Sequence, residues 1–276
     1  MRLPGAWLAL VCGLGVAFGA EATGLHLEGE LVQGGLVRGQ VAPGSRVRLD
    51  GRELRISEDG WFVFGFERDA PNTALLAIQG PDGGEARHRL EVAARSFKIQ
   101  RIDGLPPRQV TPSEADLKRI QADAELIEAA RRRDSKGRGF IEALAWPARG
   151  PISGVYGSQR ILNGEPRSPH RGLDVAVPAG TAVGAMARGV VSLAEADMYY
   201  TGGTVMVDHG HGLHSIYAHL QDVLVEVGQE VAQGGTLGTV GASGRATGPH
   251  LHWGVYWFER AVDPALLVGA VPGSLG

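Results

Sequence analysis

The stretch Thr247-Gly-Pro-His-Leu-His-Trp-Gly-Val255 places two histidines on either side of a leucine. Side chains alternate between the two faces of a β-strand, so His250 and His252 would share one face while Leu251 points to the other. An isolated His-x-His is equally consistent with two surface histidines on an edge strand. Of the nine histidines in the chain, however, seven lie after position 169. The pair therefore predicts a strand that carries part of a histidine-rich site.

A second pair of potential ligands lies upstream, in His170-Arg-Gly-Leu-Asp174. Its histidine and aspartate are four residues apart and share a face in a strand or a helical turn. A catalytic zinc site takes three protein ligands and leaves one position open. His170, Asp174 and one of His250 and His252 complete such a set, and the spacing alone leaves open which one. The remaining histidine of the pair would be placed to accept a proton from the attacking water.

The third cluster is Asp208-His-Gly-His-Gly-Leu-His-Ser-Ile-Tyr-Ala-His219. Its glycines predict a hairpin turn with His209 and His211 near the tip, and we interpret these two as turn residues rather than substrate contacts. On the returning strand, alternation places three side chains on one face: Ser215, Tyr217 and His219. His219 would approach the zinc site from this neighbouring strand, as a second proton donor or as a stabiliser of the oxyanion.

Together these motifs resemble the lysostaphin-type, LytM-like zinc metallopeptidases, which have a duplicated hybrid motif fold. The resemblance covers about residues 151–264 and rests on four motifs: His170-x-x-x-Asp174, Tyr217-Ala-His-Leu220, Gly238-x-x-Gly241, and Gly244 to Thr247-Gly-Pro-His-Leu-His252. It implies one zinc ion bound by His170, Asp174 and His252, with His219 and His250 as the catalytic pair. It also implies cleavage of peptide bonds in the stem peptides or cross-bridges of peptidoglycan.

Two functions follow from the resemblance. The first is a zinc metalloendopeptidase, which the complete ligand and catalytic set favours. The alternative is a non-enzymatic LytM-like regulator that activates a cell-wall amidase, as relatives that have lost these residues do. Within the first function, the polar loop at residues 158–167 would form a wall of the cleft. Arg160 and Asn163 in this loop are our candidate substrate contacts.

The N-terminus predicts export. Residues 1–22 contain a single arginine, an apolar run from Ala6 to Phe18 and a small-residue cleavage site after Gly19 or Ala22. This pattern is typical of a secretory signal peptide, and the run is shorter than a membrane span; an uncleaved anchor is the alternative. Cys12, the only cysteine, lies within it. A metal site in the processed protein is therefore restricted to His, Asp and Glu.

Export also bears on the substrate. The sequence has no evident wall-anchoring repeat or basic wall-binding module, so we expect the periplasm rather than the exterior, and no integral membrane segment after processing. Cross-links there run directly between stem peptides, which favours a D,D-endopeptidase over an enzyme that cuts glycyl-glycine bonds. A net charge of −3 and a pI near 6.3 argue against a nucleic-acid partner.

The composition predicts a mainly β fold, because 42 glycines separate short runs rich in Val and Leu. Residues 23–96 have strand-like runs at the spacing of a small β-sandwich, which could bind a regulatory protein partner. Residues 97–140 predict a linker with an amphipathic helix that opens on the capping box Thr111-Pro-Ser-Glu114. The helix carries an apolar stripe: Leu117, Ile120, Ala124 and Ile127.

Residues 141–276 predict an antiparallel β domain, the LytM-like peptidase domain of the resemblance. Its repeated valine and glycine turns also resemble the half-motifs of biotinyl and lipoyl carrier domains. No lysine follows Lys136, however, so the domain has no residue to modify. The carrier interpretation is therefore excluded.

Overall fold

The computed structural model describes residues 24–102, 113–162 and 164–269, with the backbone alone at positions 102, 160 and 162. The predicted signal peptide at 1–22, the turn at 103–107 and Asn163 lie outside these residues. The described chain is mainly β, with one α-helix between the N-terminal sheets and a large antiparallel C-terminal sheet, which confirms the predicted fold class. No helix in the described ranges is long and apolar enough to cross a membrane.

Two antiparallel sheets form the N-terminal unit. Their strands are β1 (His26–Gly29), β2 (Leu36–Gln40), β3 (Arg46–Leu49), β4 (Arg52–Leu54), β5 (Trp61–Gly65), β6 (Thr73–Gln79) and β7 (Glu85–Glu91). One sheet has the order β1-β2-β5 and the other β4-β3-β6-β7. In β3, Val47 and Leu49 are buried whereas Arg46 and Arg48 are exposed, the alternation expected when one face of a sheet packs on a core.

The connector contains a strand, β8 (Ile99–Ile102), and a helix, α1 (Glu114–Arg131). The predicted position of the capping box is wrong. Ser113 is the N-cap, and Asp116 at the third helical position completes the box with two reciprocal bonds of 3.2 Å, so the cap lies two residues after Thr111. Thr111 itself lies outside the described residues.

Only part of the predicted apolar stripe of α1 is covered. Ile120 and Ile127 are half-buried and Ala130 is buried, but Leu117 is 51% exposed and Ala124 is also exposed. The helix lies against the strands at Gly189–Met198 and Gly202–Gly210, and only the side of the helix that faces these strands is covered. Tertiary contact, rather than the periodicity of the sequence, sets the width of the buried stripe.

The C-terminal sheet is antiparallel and has ten strands. They are β9 (Ile152–Gly154), β12 (Leu173–Val175), β13 (Ala182–Gly184), β14 (Gly189–Met198), β15 (Gly202–Gly210), β16 (Leu213–Val223), β17 (Glu230–Val231), β18 (Thr236–Val240), β19 (Leu251–Trp257) and β20 (Arg260–Val262). The main path is β17-β14-β15-β16-β19-β12-β9, while β18 joins β13 to β16 and β20 pairs with β19. A short hairpin of β10 (Gln159–Leu162) and β11 (Glu165–Pro166) pairs with β8 of the connector.

The N-terminal unit packs on the large sheet through buried apolar residues that form one continuous cluster. An ion pair reinforces the contact, since Arg95 Nη2 lies 2.8 Å from Oδ2 of Asp263, whose side chain is 5% exposed. The Arg52 guanidinium stacks 4.0 Å from the ring centroid of Phe258. The boundaries at 23–96, 97–140 and 141–276 stay predictions.

Candidate metal centre and active site

Three neighbouring strands bring the predicted site together. Asp174 of β12 pairs directly with His252 of β19, and His252 pairs on its other side with Ala218 of β16. Directly paired residues of antiparallel strands project to the same face, so the side chains of Asp174 and His252 meet. Leu251 is fully buried on the opposite face. The alternation predicted for the 250–252 stretch is confirmed.

His170, Asp174 and His252 form a compact cluster. Asp174 Oδ1 lies 3.1 Å from His170 Nε2 and 2.9 Å from His252 Nδ1, and the two nitrogens are 3.0 Å apart. The three side chains are between 17% and 23% exposed, so the cluster is shielded but open on one side. These three residues could hold a metal ion.

The backbone orients the ring of His170. Its Nδ1 lies 3.0 Å from the Val155 carbonyl oxygen, which accepts a hydrogen bond from that nitrogen. Two main-chain bonds of 2.8 Å join His170 to Gly157 and Ser158 and fix the segment. A neutral imidazole that donates through Nδ1 presents a lone pair at Nε2. The bond to Val155 therefore directs the Nε2 lone pair at Asp174.

The donor set fits a zinc ion. Because Nδ1 of His170 donates to a carbonyl, its Nε2 carries a lone pair, as does the Asp174 carboxylate oxygen. These two atoms and His252 Nδ1 lie 2.9–3.1 Å from one another. Groups of this kind repel one another unless a proton or a cation lies between them. Two imidazole nitrogens and one carboxylate oxygen are also a typical three-ligand zinc set that leaves a position open.

His219 reaches the site on a different face from the one that alternation predicts. Tyr217 is buried on the core side of β16, where its hydroxyl accepts from Met186 N at 2.8 Å. Regular alternation would put His219 beside it. Instead His219 has φ +62°, and its ring centroid lies 4.7 Å from that of His250. The prediction that His219 shares a face with Ser215 and Tyr217 is wrong, because a left-handed residue reverses the alternation.

His219 and His250 are both held through Nδ1 by backbone carbonyls. His219 Nδ1 lies 2.9 Å from the Ser243 oxygen, and His250 Nδ1 lies 2.8 Å from the Gly248 oxygen. Each ring therefore presents Nε2 as its second nitrogen. His250 Nε2 is 3.9 Å from Asp174 Oδ1, a distance at which it stands beside the three-residue cluster rather than in it.

Burial dominates the electrostatics of the site. It lowers the pKa of His219 to about 4 and also lowers the pKa of His252, so both rings are neutral near pH 7. For Asp174, burial acts to raise the pKa, but hydrogen bonds with His170 and His252 outweigh it and hold the pKa far below its usual value. A carboxylate beside neutral imidazoles is the protonation state that binds a cation.

The predicted substrate contacts lie next to this cluster in the chain. Arg160 is in β10, of which the structure describes the backbone at that position, and Asn163 lies outside the described residues. Their contact with substrate stays a prediction. The sequence did not predict that β8 pairs in parallel with β10, with Arg160 opposite Gln100. The connector therefore supports the hairpin that precedes His170.

Three other histidines are structural. His209 Nε2 lies 2.7 Å from Ser215 Oγ, in a buried network. His211 contacts the Arg55 carbonyl oxygen of the N-terminal unit at 2.9 Å, and His214 contacts the carbonyl oxygen of Arg133 at 2.9 Å. His209 and His211 lie where β15 turns into β16, as predicted, but both are buried rather than at an exposed tip.

The sequence does not reveal the main-chain carbonyls that orient the histidine rings. Val155, Ser243 and Gly248 each supply a main-chain oxygen, and such an acceptor leaves no signature in the type of residue. Among these three residues, Ser243 alone also contributes its side chain. Its hydroxyl donates to the Leu220 oxygen at 2.7 Å and accepts from Gly203 N at 2.9 Å, so a hydroxyl side chain at this position is the one signal that the sequence offers.

Comparisons with known proteins agree with this geometry. The sequence profile described as Peptidase family M23 matches residues 168–264, the segment that contains the three-residue cluster together with His219 and His250. A crystal structure from Pseudomonas aeruginosa, assigned to peptidase M23, superposes with a TM-score of 0.69 at 34% identity, over 87% of this chain and 96% of that one. The chain belongs to peptidase family M23. The resemblance to lysostaphin-type, LytM-like peptidases is thereby confirmed.

Curated relatives within the M23 family include enzymes and an activator. The peptidoglycan DD-endopeptidase ShyA of Vibrio cholerae is 42% identical over 96 residues, which are 35% of this chain and 22% of ShyA. The murein hydrolase activator EnvC of Escherichia coli is 39% identical over 124 residues, 45% of this chain and 28% of EnvC. The chain thus spans about a quarter of the length of these relatives.

Proposed function

We propose that this chain is an exported zinc metalloendopeptidase that hydrolyses peptide bonds in peptidoglycan, with D,D cross-links between stem peptides as the preferred bonds. The observation that carries the proposal is the convergence of His170, Asp174 and His252 within about 3 Å of one another, with two further imidazoles at the same face. Membership of the M23 family and the likeness to ShyA support it.

His170, Asp174 and His252 would hold one zinc ion. A zinc ion held there would polarise the scissile carbonyl and lower the pKa of a water molecule, so that the water gives up a proton and acts as the nucleophile. The chain itself supplies the orientation of the ligands, since the Val155 carbonyl fixes the ring of His170 and the strand register fixes Asp174 opposite His252. This preorganisation reduces the movement needed when the substrate binds.

His250 and His219 would move the protons. His250 Nδ1 donates to the Gly248 carbonyl, which leaves Nε2 as the acceptor for the proton of the attacking water. His219 is held in the same manner by Ser243. Once a proton reaches either ring, that ring becomes a double donor and can stabilise charge on the scissile carbonyl oxygen or protonate the leaving amine.

The second candidate is a regulator that activates a cell-wall amidase, and the likeness to the activator EnvC favours it. In that case the N-terminal unit would be a surface for the partner protein. The complete set of five side chains favours the enzyme, because a docking surface has no need of two oriented bases beside a metal site.

One experiment separates the candidates. The protein loaded with zinc is incubated with isolated peptidoglycan sacculi, with and without a chelator, and the released fragments are identified by mass spectrometry. Cleavage that stops with chelator and resumes with added zinc is the expected result. Intact cross-links, together with faster release of glycan by an added amidase, would select the regulator. Localisation in the periplasm is a separate part of the proposal, tested by cell fractionation.

A further inference from the structure

Two turns form one rim beside the catalytic histidines: residues 199–203, which join β14 to the start of β15, and residues 243–245, which follow β18. Two hydrogen bonds connect them. Arg245 N donates to the Tyr200 oxygen at 2.9 Å, and Gly203 N donates to Ser243 Oγ at 2.9 Å. A Cβ on Gly244 would lie 2.6 Å from the Tyr200 oxygen, so glycine permits this approach.

Both turns also contact His219. The Ser243 carbonyl accepts from His219 Nδ1 at 2.9 Å, and the Thr201 carbonyl accepts from the His219 main-chain N–H at 2.7 Å. The helix α1 steadies the rim from outside, because Asp123 Oδ2 accepts from Tyr199 N at 2.6 Å. The backbone of this rim is therefore held at a fixed place against His219.

Arg245 is the cation on this rim. Its guanidinium carbon lies 4.2 Å from the centroid of the Tyr200 ring, and the side chain is exposed. Within the described ranges no carboxylate lies at ion-pair distance from it, whereas Arg52, Arg55 and Arg138 each pair with one. Stacking occupies the flat face of a guanidinium and leaves its in-plane N–H donors available. Arg245 is thus an oriented cation without a carboxylate partner among the described residues.

We propose that Arg245, stacked on Tyr200, binds a free carboxylate of the peptide substrate beside the scissile bond. The inference rests on the proposed peptidase function and names its specificity-determining residue. In a D,D cross-link whose acceptor residue is a diamino diacid such as diaminopimelate, the amine that leaves is on a carbon that also carries a free carboxylate. A planar guanidinium binds such a group with two parallel hydrogen bonds. A glycyl-glycine bridge has no carboxylate at this place, so Arg245 selects D,D cross-links.

The test uses two synthetic peptide dimers, each cross-linked by a D-alanyl amide. The acceptor residue carries a free α-carboxylate in one dimer and a carboxamide in the other. We expect the zinc-loaded full-length protein to hydrolyse the carboxylate dimer with a kcat/KM about 10 to 100 times higher, mainly through KM, as loss of one charge-assisted contact predicts. Arg245→Gln should reduce this ratio to about one, and Arg245→Lys should retain part of it.

Two controls guard the interpretation. Arg46→Gln removes an exposed arginine of the N-terminal sheet and should keep the wild-type ratio. Tyr200→Phe preserves the ring and should keep the ratio, whereas Tyr200→Ala removes the stacking surface and should lower it. Metal analysis of every variant should give the same zinc content, because none of the substituted residues belongs to the metal cluster of His170, Asp174 and His252.

The outcomes are distinct. A wild-type ratio near one, or an Arg245→Gln ratio equal to that of wild type, overturns the inference while leaving the peptidase function intact. If neither dimer is hydrolysed, the peptidase function fails instead. Binding then still decides the inference, since calorimetry on the His250→Ala protein should give about 10 to 100 times tighter binding of the carboxylate dimer, lost in His250→Ala/Arg245→Gln. Equal binding of both dimers would overturn it.

Discussion

Replacing Ser243 by alanine tests whether the rim holds His219 in place. The Ser243 hydroxyl donates to the Leu220 oxygen at 2.7 Å and accepts from Gly203 N at 2.9 Å. Ser243→Ala removes this hydroxyl and so breaks both hydrogen bonds. Each partner is a backbone group that is partly shielded from water. Leaving such a group unsatisfied costs about 1–3 kcal/mol, and for the two groups together we expect the unfolding free energy to fall by about 2–6 kcal/mol.

The same change should weaken catalysis. The Ser243 carbonyl accepts the His219 Nδ1 proton at 2.9 Å, and it moves once its own side chain no longer anchors it. Misplacement of a catalytic group by about 1 Å lowers the rate by about 100-fold, so we expect kcat to fall at least tenfold with zinc content unchanged. Urea denaturation measures the stability, steady-state hydrolysis of a cross-linked peptide measures kcat, and imidazole ¹H–¹⁵N spectra report the Nδ1 proton of His219.

Thr181→Ala is the matched control, because Thr181 Oγ1 makes a single exposed bond to Pro178 within its own turn. It should leave kcat unchanged and reduce stability by less than about 1 kcal/mol. Ser243→Thr restores a hydroxyl and should recover part of both losses. If Ser243→Ala lowers stability but leaves kcat within twofold of wild type, the rim does not position His219. If stability is unchanged, the account of the two hydrogen bonds is wrong.

Three further predictions follow from the same structure. His252→Ala should lose zinc, whereas His250→Ala should keep zinc and lose turnover; metal analysis beside an activity assay checks both, and an active His250→Ala protein would refute the role of its ring. Gly244→Ala adds a Cβ at φ +66° against the neighbouring turn and should cost about 1–3 kcal/mol more in urea denaturation than Gly180→Ala, where φ is +82° and the space is open; equal costs would show that the turns can separate. Burial lowers the pKa of His209 from 6.5 to about 4, so the unfolded chain binds a proton that the folded protein resists. The contribution of His209 to the unfolding free energy should be fully present above about pH 6.5 and fall by roughly 3 kcal/mol as the pH drops to 4. His209→Gln should therefore reduce the slope of stability against pH in this range, and an unchanged slope would refute the account.

The presence of strands and the side-chain alternation around Leu251 could be predicted from the sequence, because both depend on local periodicity. Leu251 between two histidines is the simplest case, since burial of one face forces both neighbours to the other. The pairing of β8 with β10 could not be read in this way. A short strand such as Ile99–Ile102 exists only because a partner edge lies beside it, and that edge is 57 residues or more away in the chain.

His219 shows a second limit of periodicity. Tyr217 and Leu220 both lie in the core although they are three residues apart, and φ +62° at His219 carries its ring to the opposite face. A non-glycine residue in the left-handed region needs compensation. Here the Thr201 and Ser243 carbonyls provide it, by binding both the main-chain N–H and Nδ1 of His219. The information therefore resides in two distant turns rather than in the sequence around His219.

The register of the sheet gives a physical basis for a choice that spacing left open, namely which histidine of the 250–252 pair binds the metal. His252 stands directly opposite Asp174, so its Nδ1 reaches the carboxylate at 2.9 Å. His250 pairs with Gly241 instead, beyond the end of β12, and its Nδ1 is engaged by the Gly248 carbonyl. Its free nitrogen remains 3.9 Å from the carboxylate. A two-residue step along one strand thus separates the proposed metal ligand from the proposed base, because the neighbouring strand supplies its carboxylate opposite only one of them.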